Sequence, residues 1–119
     1  MATTQQTTIA AVERNPPEGN CELINGELIP GNPTSLHAAA VVARSLTFLN
    51  AHVLANNAGL VVGPDAGFVI FADRDTVRAP DVAFVRRGRL PAPSRTFVTV
   101  PADLAVEVLS PSDRLADTL

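Results

Sequence analysis

The chain contains no lysine, so every side chain it can offer to a phosphate as a permanent cation is one of nine arginines. It has a single cysteine, Cys21, which excludes an internal disulfide and any zinc site built from several thiolates. A lone free cysteine packs as a small hydrophobe, and Cys21 is read that way. No continuous apolar stretch is read as long enough to span a bilayer. Met1 to Ile9 lacks the basic start and apolar centre of a signal peptide. The expected compartment is therefore the cytoplasm, with no membrane partner. There is no glycine-rich phosphate loop, nucleotide fingerprint, paired-histidine metal motif or internal repeat. Acidic residues outnumber basic ones, twelve to nine, and a net charge of −3 argues against broad adhesion to nucleic acid. A local basic patch is still available at Arg86, Arg87 and Arg89. It reads equally as a solvated strand end or as a phosphate contact.

What the chain does have is enough apolar content, 46% against 18% charged, for one globular core. Residues 1–16 are expected to be a flexible N-terminal segment and 17–119 a single domain. Glu22-Leu23-Ile24 and Glu27-Leu28-Ile29 flank Asn25-Gly26, whose residues suit the positive φ angles of a type I′ hairpin turn. A two-residue turn pairs Ile24 with Glu27, Leu23 with Leu28 and Glu22 with Ile29. Leu23 and Leu28 should then be buried and Glu27 solvated. From Thr34 to about Asn57, Leu36, Ala39, Ala40, Ala43, Leu46, Leu49 and Val53 recur at helical spacing, with Thr34 or Ser35 as cap and Gly59 beyond the end. Gly59 to Ala72 reads as one or two strands broken at Pro64. Ser110-Pro111-Ser112-Asp113 has the residues of a helix start.

Two acids stand out against this background. Asp81 lies in Ala79-Pro80-Asp81-Val82-Ala83-Phe84-Val85, and Glu107 in Asp103-Leu104-Ala105-Val106-Glu107-Val108-Leu109. An ionised carboxylate within a run of strand formers needs a cation or hydrogen bonds to compensate it. Alternation puts Ala79, Asp81 and Ala83 on one face of the first strand. It puts Asp103, Ala105, Glu107 and Leu109 on one face of the second. Small alanine neighbours leave room for a hydrated ion, while Val82, Phe84, Leu104, Val106 and Val108 face the other way to pack. Two carboxylates on adjacent strands with their side chains on one face form a half-shell for Mg²⁺ or Mn²⁺. The bland alternative for Asp81 is a strand-end residue hydrogen-bonded to a turn. For Glu107 the alternative is an ion pair with arginine.

Three blocks in order, Glu18-Gly19-Asn20-Cys21-Glu22-Leu23-Ile24-Asn25-Gly26-Glu27-Leu28, the Asp81 strand and the run from Pro101 to Ser112, resemble the Uma family of predicted restriction-endonuclease-like proteins. That family is a branch of the PD-(D/E)XK nucleases. The resemblance implies an α/β fold with a mixed sheet, an N-terminal hairpin and one long helix packed on it. It implies Mg²⁺-dependent hydrolysis of DNA phosphodiesters, with Asp81 and Glu107 on the metal and Glu22 completing the acidic cluster. His37 matches a histidine of similar members, where a capping or surface role competes with one near the phosphate. His52 has no functional case.

The sequence also departs from the pattern. In the standard motif lysine would stand at position 109, which is Leu109. In this family a lysine from the next helix is expected at about residue 121, beyond the 119 residues given. Arg114 is no equivalent, since a guanidinium differs in shape and never deprotonates. The resemblance therefore leaves two functional readings and an open question about activity: a metal-dependent endonuclease, or a truncated, inactive relative that acts by binding or self-association. A small acidic module unrelated to nucleases is a third. A fold incomplete at its C-terminus would leave the Leu104, Val106 and Val108 face uncovered, which predicts a homodimer.

Overall fold

The computed structural model describes residues 6–31 and 33–110. In chain order the elements are α1 (Ile9–Arg14), β1 (Cys21–Ile24), β2 (Glu27–Pro30), α2 (Leu36–Asn56), β3 (Gly59–Val62), β4 (Phe68–Phe71), β5 (Thr76–Arg78), β6 (Val82–Arg86) and β7 (Leu104–Val106). Single 3₁₀ turns at Ala72–Arg74 and Arg87–Arg89 follow β4 and β6. The strands, the hairpin and the long helix make the expected α/β fold. Every pairing between named strands is antiparallel, and a parallel bridge joins Phe68 to Val98. The helix expected from Ser110 onward lies outside the described residues. The contacts divide the chain into two units.

The first unit comprises residues 1–32, 65–79 and 91–101 and holds a sheet in the order β2-β1-β5-β4. Its hairpin forms in the register that a two-residue turn dictates: Ile24 opposite Glu27, Leu23 opposite Leu28, Glu22 opposite Ile29. Asn25 and Gly26 take φ of 50° and 80°, the signs that a type I′ turn requires. Leu23 is buried with Val77 and Val12, and Ile9, Leu28, Val69 and Phe97 pack around them. Glu27 is half-buried rather than solvated, because Gln6 bridges to it and the Thr7 amide donates to Gly26 O. Ahead of the hairpin lies α1. Thr8 caps α1 by accepting from the Ala11 amide, and the Ile9 amide donates to Asp75 Oδ1 at 2.9 Å. These bonds hold the helix so that Val12 reaches the core.

The second unit comprises residues 33–64, 80–90 and 102–119; its sheet runs β3-β6-β7, with α2 packed on β3 and β6. Ser35 Oγ accepts from the Ala38 amide at the start of α2. At the other end Asn57 is left-handed (φ 47°, ψ 45°), its amide bonds Leu54 O and the Ala58 amide bonds Val53 O. That pair of bonds is a Schellman motif with asparagine in the position glycine usually takes. Gly59, two residues on, has φ 155°, and an added Cβ would land on Val85 O.

The helix differs from expectation in its phase. Leu46, Leu49 and Val53 turn inward as read from the sequence, but upstream the inward residues are Ala38, Val41 and Val42. Leu36, at 88% exposure, and Ala39, Ala40 and Ala43 face out. The helix is apolar nearly all round, so spacing alone does not select a face. By length and composition it also meets the requirement for crossing a membrane, contrary to the sequence expectation that no segment does.

Candidate metal site at the ends of two strands

β6 is the central strand of its sheet, and Val82 and Ala83 are both fully buried. The alanine is thus a packing residue, and the expectation that it leaves space for a hydrated ion is corrected. Pro80 is buried too, and Asp81, half-buried between Pro80 and Val82, is the point where the chain enters the sheet. β7 is an edge strand and correspondingly open, with Leu104 and Ala105 exposed.

The register places the two acids. Val82 pairs with Val106, Ala83 with Ala105 and Phe84 with Leu104. Extending that ladder by one residue sets Asp81 opposite Glu107. Directly opposite residues in an antiparallel pair project to the same side, with Cβ atoms ~5 Å apart. The Val108 amide donates to Asp81 Oδ2 at 2.7 Å, so the aspartate is fixed by its neighbour strand at one oxygen. Glu107 is exposed just past the end of β7. Leu109, in the position where the standard nuclease motif carries lysine, is about half exposed.

Glu22 lies on β1 in the first unit and is already engaged. Its Oε2 accepts from Arg78 Nε at 2.9 Å and from the Ala79 amide at 2.8 Å. This clamp joins the hairpin to the residues that lead into Pro80-Asp81. Among the described residues no group of three or more His, Cys, Asp or Glu is gathered as a metal site. The three-acid cluster implied by the resemblance is therefore not assembled among them. His37 and His52 are both exposed on α2, and His52 Nδ1 lies 3.5 Å from Asn56 Nδ2.

Sequence reasoning missed Asp103. Its Oδ2 accepts from the Arg86 amide at 2.8 Å and its Oδ1 accepts from Arg89 Nη1 at 2.9 Å, with Arg86 Nε 4.0 Å away. The signal was available: an acid four residues before Glu107 on the same strand face, and an arginine run at the far end of the paired strand.

Antiparallel sheets, an N-terminal hairpin and a long helix make an α/β fold consistent with a PD-(D/E)XK-like architecture. The chain belongs to the Uma2 family, described as "Putative restriction endonuclease", whose model matches residues 7–119. The match begins ahead of the hairpin and so takes in α1. Among curated proteins, none matched.

Proposed function

We propose that this chain is a metal-dependent endonuclease acting on DNA phosphodiesters in the cytoplasm, with Asp81 and Glu107 as its metal ligands. What supports the reading is the register of β6 and β7, in which Val82 pairs with Val106; continued by one residue, it would bring Asp81 opposite Glu107. A pair of carboxylates suits Mg²⁺ or Mn²⁺, which keeps several waters and takes substrate phosphate as a further ligand. When bound, such an ion would offset phosphate charge and lower the pKa of a coordinated water.

The protein's own part is positional. The Val108 amide fixes one Asp81 oxygen, and the described residues offer no partner for the other, Oδ1. Glu107 supplies the second carboxylate from the exposed end of the edge strand. Glu22 is held by Arg78 and Ala79 within the first unit and takes no part in this pair. In the reaction, water adds to phosphorus in line with the departing ester oxygen, which leaves with a proton as a hydroxyl end.

The absence of lysine from the 119 residues favours a second reading, a nuclease-fold protein that binds without cutting. Losing one preorganised stabilising group costs roughly 10²–10³ in rate. The discriminating experiment is plasmid nicking in Mg²⁺ or Mn²⁺ by this chain and by a form extended through the next helix, with Glu107→Ala in each. Cutting by the extended form that vanishes with Glu107→Ala supports the enzyme. Metal-independent cutting, or cutting that survives the change, overturns the assignment of the site. If both forms are inert, the non-catalytic reading replaces the enzyme.

A further inference from the structure

The geometry points to Arg87 as a phosphate-binding residue, at the opposite end of β6, for a nucleic acid engaged at the Asp81–Glu107 pair; the inference rests on the nuclease reading and adds a contact remote from the scissile bond. Three arginines, Arg86, Arg87 and Arg89, stand where β6 passes into its 3₁₀ turn. Asp103 faces two of them. Asp103 commits one oxygen to the Arg86 amide and the other to Arg89, with Arg86 Nε at the limit of an ion pair. Arg87 has no acidic partner among the described residues, and its side chain is exposed.

Its backbone, by contrast, is held at both groups. The Arg87 amide donates to Ala58 O at 2.8 Å, and Arg87 O accepts from the Leu90 amide at 3.4 Å. Beside it Gly88 is open, with nothing within 4 Å of where a Cβ would stand. A fixed backbone carrying an uncompensated, solvent-facing guanidinium at an uncrowded turn is a phosphate contact already in place. Guanidinium is also suited to phosphate because its planar fork donates two parallel hydrogen bonds. On a chain of net charge −3 this surplus is local, so it acts through position rather than bulk attraction.

Asp81 and Arg86 bound β6, and at ~3.4 Å per strand residue they lie about 17 Å apart. A contact at that distance lies beyond the scissile phosphate and its immediate neighbours.

The test measures binding of the full chain to a fluorescein-labelled 24-base-pair duplex in Ca²⁺ across a salt series, for the wild type, Arg87→Ala, Arg87→Lys and Arg95→Ala. Arg95, exposed in the other unit, controls for net charge. Arg87→Ala should weaken binding several-fold and reduce the slope of log K against log salt by about 0.9, while Arg95→Ala leaves both in place and Arg87→Lys recovers the slope. Equal loss from Arg87→Ala and Arg95→Ala, or an unchanged slope in Arg87→Ala, overturns the inference. Circular dichroism of each variant separates lost binding from lost fold. Plasmid nicking distinguishes the two proposals. An Arg87→Ala-sensitive slope without cutting in any form leaves the phosphate contact standing and removes the enzyme. Glu107-dependent cutting with an insensitive slope does the reverse, and no DNA binding at all removes both.

Discussion

Asp81 and Glu107 carry different burdens at the same end of the sheet, and single substitutions should expose the difference. Glu107→Ala removes an exposed side chain, so the fold should persist while Mn²⁺ affinity falls. Even outer partners of metal ligands cost 10–100-fold when removed, and a ligand should cost at least ~10-fold. Isothermal titration with Mn²⁺ measures this, and affinity retained in Glu107→Ala would exclude the residue as a ligand. Glu27→Ala should leave metal affinity unchanged and serves as the comparison. Glu22 calls for a stability measurement instead. Glu22→Ala would leave Arg78 Nε and the Ala79 amide, both part-buried, without their acceptor, at about 1–3 kcal/mol. Glu22→Gln keeps one oxygen that can accept from both donors but loses the negative charge opposite Arg78, and should fall between alanine and wild type in urea unfolding. A Glu22→Ala protein as stable as wild type would show that the clamp carries no energy.

Local rules place elements well here and orient them poorly. The turn at Asn25-Gly26 was legible because two consecutive positive φ angles admit few residue pairs, and the hairpin register follows from the loop length. The ends of α2 were legible for a similar reason, with a serine hydroxyl at one end and a turn toward Gly59 at the other. Ser35→Ala should cost about 1 kcal/mol. Gly59→Ala should cost considerably more, since the backbone angle is unfavourable and the new methyl group meets Val85 O. Thermal unfolding that ranks these two in the opposite order would contradict the packing of Gly59 against β6. The inward face of α2 was not legible. Its alanines suit either side, and only the sheet beneath decides which are covered. For the same reason alternation misjudged Ala83, because β6 in particular is buried on both faces. Asp103 stayed hidden because its partners are brought to it by pairing of β6 with β7, which no single stretch of sequence encodes.

For the molecule as a whole, the outward face of α2 is the feature most in need of a consequence. Leu36, Phe48 and Leu54 are 88%, 77% and 70% exposed, and exposed alanines fill much of the same helix surface between them. On the edge strand Leu104 adds to the apolar surface of this unit. Contiguous apolar patches beyond a few hundred Å² are uncommon on monomers and mark surfaces that meet something. A helix of 21 residues is ~30 Å long, and the alanines along it permit close approach of a second helix. A two-fold axis across that face would pair the patch with its own copy, which is the homodimer we predict. Static light scattering over a range of concentrations should show a rising apparent mass. Phe48→Ser, which removes the largest exposed side chain on the helix without touching the core, should shift the rise to at least several-fold higher concentration. A monodisperse monomer at high concentration would contradict the dimer. Sedimentation of the wild type with lipid vesicles, lost in Phe48→Ser, would assign the face to a bilayer instead, since α2 is long and apolar enough for one.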